Sequence, residues 1–233
     1  MVEFSEGVLS ARKYFADNGI DTLPISVGSK ICHVKNWQYV SSDEAWLHAP
    51  SDSNIGIRCG GKKHFAVIDC DEKNQVGTFD NIINYLIGLG FDERMFPITQ
   101  TASVIGRQIY CSLTEFIPGS YYSLSSQFGC GEFRFGNGAY VVAPPSKVYN
   151  ASDYKWLQGD ISYLPEIGFS TISDILQIST SKTRNDDSQN NSKNLNLTRN
   201  QKSMVNGIGI DKYKTRSEYE YALMVSLINT GWN

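Results

Sequence analysis

Apolar residues recur along this chain with two periods, and together they predict an interleaved series of helices and strands. Over residues 5 to about 18, Val8, Leu9, Ala11, Tyr14 and Phe15 keep helical spacing, and Gly19 stops the run. Residues 21–27 read as a short strand, and Gly28-Ser29-Lys30 as a turn that sets a lysine at a strand end. A short helix opens at Ser42 with acids in its first turn. Residues 54–59 read as a strand; Gly60-Gly61 and Lys62-Lys63 then form a hairpin-like connection into residues 65–71. Residues 77–89 predict a helix whose buried stripe is Phe79, Ile82, Ile83, Tyr85, Leu86 and Leu89. Residues 96–103 are extended, 104–106 turn, and 107–111 form the next strand. Residues 119–126, rich in Ser and Tyr, read as a loop. Strict alternation through Glu132-Phe133-Arg134-Phe135 predicts a strand, followed by a tight Gly136-Asn137-Gly138 turn. Residues 139–143 are a buried strand, and 153–156 with 164–176 close the domain.

Past residue 178 the composition changes. Residues 179–206 are rich in Asn, Ser and Lys and too poor in apolar groups to offset the entropy of ordering, so they read as a linker. From Lys182 to Arg216 eight bases face three acids, the clearest basic excess in the chain. Such a tether suits phosphate backbones, and it equally suits a solvated linker. Residues 207–233 hold a capping box, Ser217 with Glu220, and an amphipathic run through Leu223, Met224, Leu227 and Ile228. One helix cannot bury its stripe alone, so this reads as the beginning of a helical C-terminal domain that the sequence cuts short, or as a docking helix. Residues 1–178 are then the folded domain.

Composition narrows the chemistry. The 233 residues are 41% hydrophobic and 19% charged, which suits one globular domain with extra material. No apolar run is long enough to span a bilayer, and the acidic N-terminus does not read as a signal peptide. Five scattered cysteines (32, 59, 70, 111 and 130) without a C-x-x-C pair argue for reduced thiols, a cytoplasmic location and no zinc ribbon. Three histidines, His33, His48 and His64, exclude H-x-H nicking and H-E-x-x-H protease chemistry. The net charge of −3 means that any nucleic-acid contact must be made by locally placed bases.

Two stretches carry candidate chemistry. In Phe65-Ala-Val-Ile-Asp69-Cys-Asp71 an apolar strand runs into two acids that share a face. Paired carboxylates at a strand end suit hard divalent cations, Mg²⁺ or Mn²⁺, although a strand running out into a polar turn has the same pattern. In the second stretch Glu132 and Arg134 share one face while Phe133 and Phe135 pack on the other. Glu132 would complete a carboxylate triad for a two-metal site, with the intervening Ser and Arg residues on phosphate oxygens.

The ordered set resembles the archaeo-eukaryotic primase superfamily, in its bifunctional primase-polymerase (prim-pol) branch. The resemblance runs from about Ala11 to Asp160. It rests on Tyr14, Gly19, Leu23-Pro24, Gly28-Ser29-Lys30, Trp37, Asn54-Ile-Gly-Ile57, Val67-Ile-Asp69-Cys-Asp71, Thr101-Ala-Ser103, Gly131-Glu132-Phe-Arg134, Tyr140-Val-Val-Ala-Pro144-Pro145-Ser146 and Tyr154-Lys-Trp156. It implies an α+β fold: a primase-polymerase catalytic core with an RRM-like motif-bearing sheet and a second small α/β lobe. It also implies template-directed nucleotidyl transfer from dNTP or NTP to a 3′-hydroxyl on single-stranded DNA with a primer, in replication of a mobile element, phage or plasmid. Asp69, Asp71 and Glu132 would be catalytic and hold two Mg²⁺ or Mn²⁺ ions, Glu132 standing where the family usually has Asp. Ser103 matches the serine of the second motif. The family's histidine after it is absent; Gln108 stands nearest its place, able to donate a neutral hydrogen bond but not to be cationic. Arg134 would compensate on phosphate, with Arg107, Ser146, Lys147 and Lys30 as further nucleotide-binding candidates. The region after the linker resembles the start of the primase C-terminal helical domain, with a helicase domain or replication partner as its expected contact.

Two other readings stay open. One is a nucleic-acid or nucleotide-binding replication-initiation module of feeble activity, suggested by Gln108. The other is a metal-dependent nuclease, since a carboxylate triad with two metals also hydrolyses phosphodiesters.

Overall fold

The computed structural model describes residues 7–117 and 119–176. The expected linker and C-terminal helix fall outside the described residues. What is described is an α+β chain with two sheets. In chain order the elements are α1 (Val8–Asp17), β1 (Thr22–Ile25), α2 (Ser42–Trp46), β2 (Asn54–Arg58), β3 (Phe65–Cys70), α3 (Thr78–Gly88), β4 (Ile98–Gln100), β5 (Arg107–Leu113), β6 (Tyr121–Ser123), β7 (Gly131–Arg134), β8 (Tyr140–Val142), β9 (Lys155–Gln158), β10 (Glu166–Ile167) and α4 (Phe169–Leu176). Among the described residues no helix is long and apolar enough to cross a membrane.

The smaller sheet has the order β1-β2-β8, antiparallel throughout. Pro24 sits in β1, an edge strand, where its missing N–H leaves no central ladder bond unmade. The larger sheet runs β6-β7-β3-β5-β4-β9, with β10 added in parallel to the far end of β5. β3 lies at its centre between β5 and β7, which is why its first four residues are all apolar and buried.

Phe65 and Val67 share a face of β3 with Asp69; Ser112 on β5 opposes Phe65, while Tyr110 on β5 and Arg134 on β7 oppose Val67. Over Phe65, Val67 and Tyr110 the face is covered by a core that includes Ala11 and Phe15 of α1, Ile55 and Ile57 of β2, Val141 of β8 and Trp156 of β9. The cover stops before Asp69. One face of one strand therefore passes from core to cleft within two residues.

Two expectations change. Residues 119–126 contain a strand, β6, which pairs along β7 through Tyr121↔Arg134 and Ser123↔Glu132. All three β6 residues are exposed, so no burial pattern announced them; the pairing with β7 makes the strand. The Gly60-Gly61 connection is tight and closes one Gly60↔Phe65 bridge, but β2 and β3 belong to different sheets. It is a crossing between sheets, not a hairpin. The Gly136-Asn137-Gly138 turn makes the reverse crossing, from β7 to β8. Gly136 has φ 66°, and a Cβ there would stand 2.4 Å from the Gly119 nitrogen, so both space and conformation demand glycine.

Helix α1 is tied to the far end of the domain. The Tyr14 hydroxyl donates to Asp160 Oδ1 and accepts from the Ile161 N–H at 3.2 Å. The Tyr14 bond, followed by the Ser162 N–H, holds the Asp160 carboxyl below its ordinary value. A lowered carboxylate pKa contributes stability above the ordinary value near 3.8, lost as pH falls through the folded value. Tyr14→Phe should therefore cost about 1 kcal/mol at pH 6–7, and the difference from wild type should shrink below pH 4. Urea denaturation of both proteins across that range checks it.

Candidate active site

The end of β3 fixes the site. Asp69 is opposed by Glu132 on β7 and by Gln108 on β5, so the three side chains form a row across one face of the larger sheet. Thr99 on β4 extends the row past Gln108. Asp71 follows one step beyond the strand, its N–H still bonded to the Cys130 carbonyl at 2.9 Å, which keeps the i, i+2 spacing extended. Asp69, Asp71 and Glu132 all line one cleft of about 550 Å³. Lys30, Lys73, Ser103 and Arg134 line it as well. The neighbouring Glu72 is used elsewhere: its carboxylate accepts from the Gly77 and Phe79 N–H groups and caps α3.

Arg134 is the centre of the cleft's electrostatics. Its Nη2 pairs with Glu132, and its Nε lies 3.6 Å from Asp69 Oδ2. Nη1 donates to the Tyr140 carbonyl at 3.3 Å, and the guanidinium stands 5.5 Å from the Tyr121 ring centroid. Nε is buried and makes no hydrogen bond. Burial pushes the Asp69 carboxyl up to about 6; Arg134 and Lys30 oppose the rise, Glu132 and Asp71 add to it. Burial, with the Asp69 charge, also raises the Cys70 thiol well above its usual range, so the middle residue of the motif is inert packing.

Gln108 is buried at 2% exposure. Its Oε1 accepts from the Tyr110 hydroxyl at 2.9 Å and the Thr99 hydroxyl at 3.1 Å. With Oε1 so occupied, Nε2 is the end of the carboxamide left to donate. Gln108 lines a second cavity of about 390 Å³ together with Trp37, Tyr121 and Tyr140. Lys30, Asp69, Arg134 and Tyr154 line both cavities, so an acidic and an aromatic compartment meet at the Asp69–Arg134 contact.

The other expected nucleotide contacts are placed as follows. Ser103 lines the cleft from the 101–106 loop, where its hydroxyl accepts from the Gly106 N–H at 3.0 Å and meets the Thr101 hydroxyl at 2.9 Å. Lys30 lines both cavities and stands 6.0 Å from the Tyr154 ring centroid. Arg107 lies opposite Cys70, on the other face, and donates to the carbonyls of Val104, Ile105 and Gly106. Ser146 is fully buried, its hydroxyl bonded to both the N–H and the carbonyl of Ile55. Lys147 pairs with Asp153 at 3.8 Å. Arg107, Ser146 and Lys147 line neither cavity.

Lys73, Asn74, Tyr121, Ser123 and Cys130 also line these cavities and were not among the expected contacts. Lys73 and Asn74 follow the acidic pair directly, and a polar cluster beyond a strand end was the available hint. Tyr121 is brought in by β6, and Cys130 by the register of β7.

The carboxylates suit a divalent cation in type: three hard oxygen donors in one cleft, two of them register partners. As the side chains stand, no group of three His, Cys, Asp or Glu residues among the described residues is gathered to hold an ion. The reason is visible in the contacts. Arg134 engages Asp69 and Glu132, and the Asn74 amide donates to Asp71 Oδ2 at 2.6 Å. In donor chemistry the three carboxylates fit a hard divalent cation; in position they are held by Arg134 and Asn74.

A family model described as bifunctional DNA primase/polymerase, N-terminal, matches residues 11–167, more than half of the chain. No curated protein matches it.

Proposed function

Because the chain belongs to the bifunctional DNA primase/polymerase family by its N-terminal domain, we propose that it extends primers on a single-stranded DNA template by nucleotidyl transfer from dNTP or NTP. One observation carries the reading: the core-covered face of the larger sheet opens at Asp69, where Asp71, Glu132, Lys30, Lys73, Ser103 and Arg134 line the same cleft. The arrangement fits a primase-type core, with β1, β2 and β8 as the smaller lobe's sheet.

Asp69, Asp71 and Glu132 would hold Mg²⁺ or Mn²⁺, which supplies positive charge for an attacking 3′-hydroxyl and a leaving pyrophosphate. Lys30 and Lys73 are exposed lysines that meet the triphosphate oxygens. Ser103 offers a hydroxyl held by its own loop, so it is in place before a nucleotide arrives. Gln108 gives neutral amide donors where its relatives have a histidine, which makes this contact independent of pH near neutrality. The aromatic compartment of Trp37, Tyr121 and Tyr140 offers ring faces to a base or sugar. A cytoplasmic protein of a mobile replicon, with a helicase or replication partner docked through residues 207–233, fits this role.

The second reading, a binding module of feeble activity, is favoured by the buried Gln108, whose Oε1 is already committed to Thr99 and Tyr110. Extension of a labelled primer with Mg²⁺ or Mn²⁺ and each nucleotide pool separates them. We expect extension by wild type and its loss in the Asp71→Asn/Glu132→Gln variant. Nucleotide binding without extension would support the binding module, and primer shortening without nucleotide would support a nuclease.

A further inference from the structure

We propose that Arg134 is an internal counter-ion that gives up the carboxylates when a divalent cation binds, so that cation binding and triphosphate binding are coupled through one side chain. The proposal rests on the metal reading above and goes beyond it.

Register forces the situation. Asp69 and Glu132 are direct partners across β3 and β7, so two carboxylates are held side by side in a part-buried place. Like charges at that separation disfavour each other's ionisation, and an opposite charge between them relieves it. Arg134, two residues along β7 on the same face, supplies that charge through Nη2 to Glu132 and Nε toward Asp69. Its bonding is incomplete for a guanidinium placed only for structure. Nε is buried with no hydrogen bond, and its separation of 3.6 Å from Asp69 exceeds hydrogen-bond length. A buried donor left unmade costs free energy, so the arrangement is not the best available once another cation can serve the carboxylates.

The charges of the cleft agree. Asp69, Asp71 and Glu132 give −3, and Lys30, Lys73 and Arg134 give +3, a balance of zero. A cation entering alone breaks the balance and strands Arg134. A triphosphate entering with it more than offsets the added charge and gives Arg134 new oxygen partners, bidentate ones if the fork is aligned. Arg134 already borders both compartments: its guanidinium stands 5.5 Å from the Tyr121 ring centroid, and it lines the acidic cleft and the aromatic cavity alike. By linkage, whatever raises cation affinity in the presence of triphosphate raises triphosphate affinity in the presence of cation.

The test is Mn²⁺ binding to the full chain without nucleotide, read as free Mn²⁺ by electron paramagnetic resonance. Arg134→Gln should bind Mn²⁺ about tenfold tighter than wild type, because the cation no longer competes with a guanidinium. Arg134→Lys, which keeps the charge but loses the fork, should fall between. Adding tripolyphosphate should tighten Mn²⁺ binding in wild type and do so far less in Arg134→Gln. Unchanged or weaker Mn²⁺ binding by Arg134→Gln, with wild type still extending primers, overturns the coupling and leaves the proposed function standing. Absence of Mn²⁺ binding from every variant overturns both. If neither variant folds, the arginine Nε–H signals of ¹⁵N-labelled wild type decide. The Arg134 signal should move as Mg²⁺ is added, and a signal that stays fixed at saturating Mg²⁺ overturns the proposal.

Discussion

Asp69→Asn should lower primer extension by about a thousandfold while leaving the protein at least as stable as wild type at pH 7–8. The two halves follow from one fact. Asp69 stands where the buried face of the larger sheet becomes cleft, between Glu132 and Gln108. In the proposed function it is one of the three carboxylates that would hold the cation. It is also costly to ionise there, since burial raises it to about 6 from an ordinary 3.8. A raised carboxylate pKa means that the folded chain holds the proton more tightly than the unfolded chain does. Stability from this group is therefore full below pH 3.8 and is lost as pH rises through about 6. Asn carries no charge and escapes that loss. Partial exposure of the side chain reduces the gain, which should reach about 1–2 kcal/mol in metal-free buffer at pH 8 and vanish toward pH 4. Urea denaturation in the presence of a chelator, beside the extension assay, measures both. An Asn variant that is inactive because it is unfolded would contradict this account of the site.

Gly131→Ala should have the largest effect on folding, about 3 kcal/mol, and should lose extension as well. A Cβ at Gly131 would lie 2.2 Å from the Asp69 carbonyl oxygen, a backbone atom at the centre of the sheet that cannot move aside alone. It would also meet Leu124 at 3.0 Å, and Gly131 has φ 156°. Relief requires β7 to draw away from β3. That opens the Cys70↔Gly131 and Asp69↔Glu132 pairs together, so the carboxylates separate and Arg134 loses its position. Chemical denaturation gives the stability change. A variant that stays folded at low temperature should still show weakened Mn²⁺ binding, because geometry and stability fail at the same residue.

Much of the site was legible as local pattern. The run Phe65-Ala-Val-Ile-Asp69-Cys-Asp71 fixes a strand, its faces and the emergence of two acids on one of them, because strand periodicity acts over two residues. Alternation through Glu132-Phe133-Arg134 fixes the same for β7, and the observed burial of Phe133 with part-exposed Glu132 and Arg134 agrees. The α3 stripe was legible in part: Ile82, Ile83 and Leu86 are buried and Phe79 and Tyr85 half-buried, but Leu89, past the end of the helix, is exposed. What was not legible depends on pairing between distant segments. Nothing near Tyr121 marks a strand; β7 makes it one. The Gly60-Gly61 connection, which read as hairpin-like, and the tight Gly136-Asn137-Gly138 turn both carry the chain between sheets, because a turn fixes its own geometry and not the partner of the next strand. Ser146, a hydroxyl beside a strand end, proved to be fully buried against the Ile55 backbone, and Arg107 closes its own turn.

The sequence by itself determined most of the elements (β6 excepted), the faces of β3 and β7 and the types of donor at the site, since these follow from residue chemistry and a period of two or 3.6. Only the tertiary structure decided the register that sets Asp69 against Glu132, the point where the core stops covering β3, and the placing of Arg134 between the carboxylates. Those depend on which strands meet and how far each runs. They are settled by the burial of Phe65, Val67, Tyr110 and Trp156 as one core, a sum over segments far apart in the chain, which no local window contains.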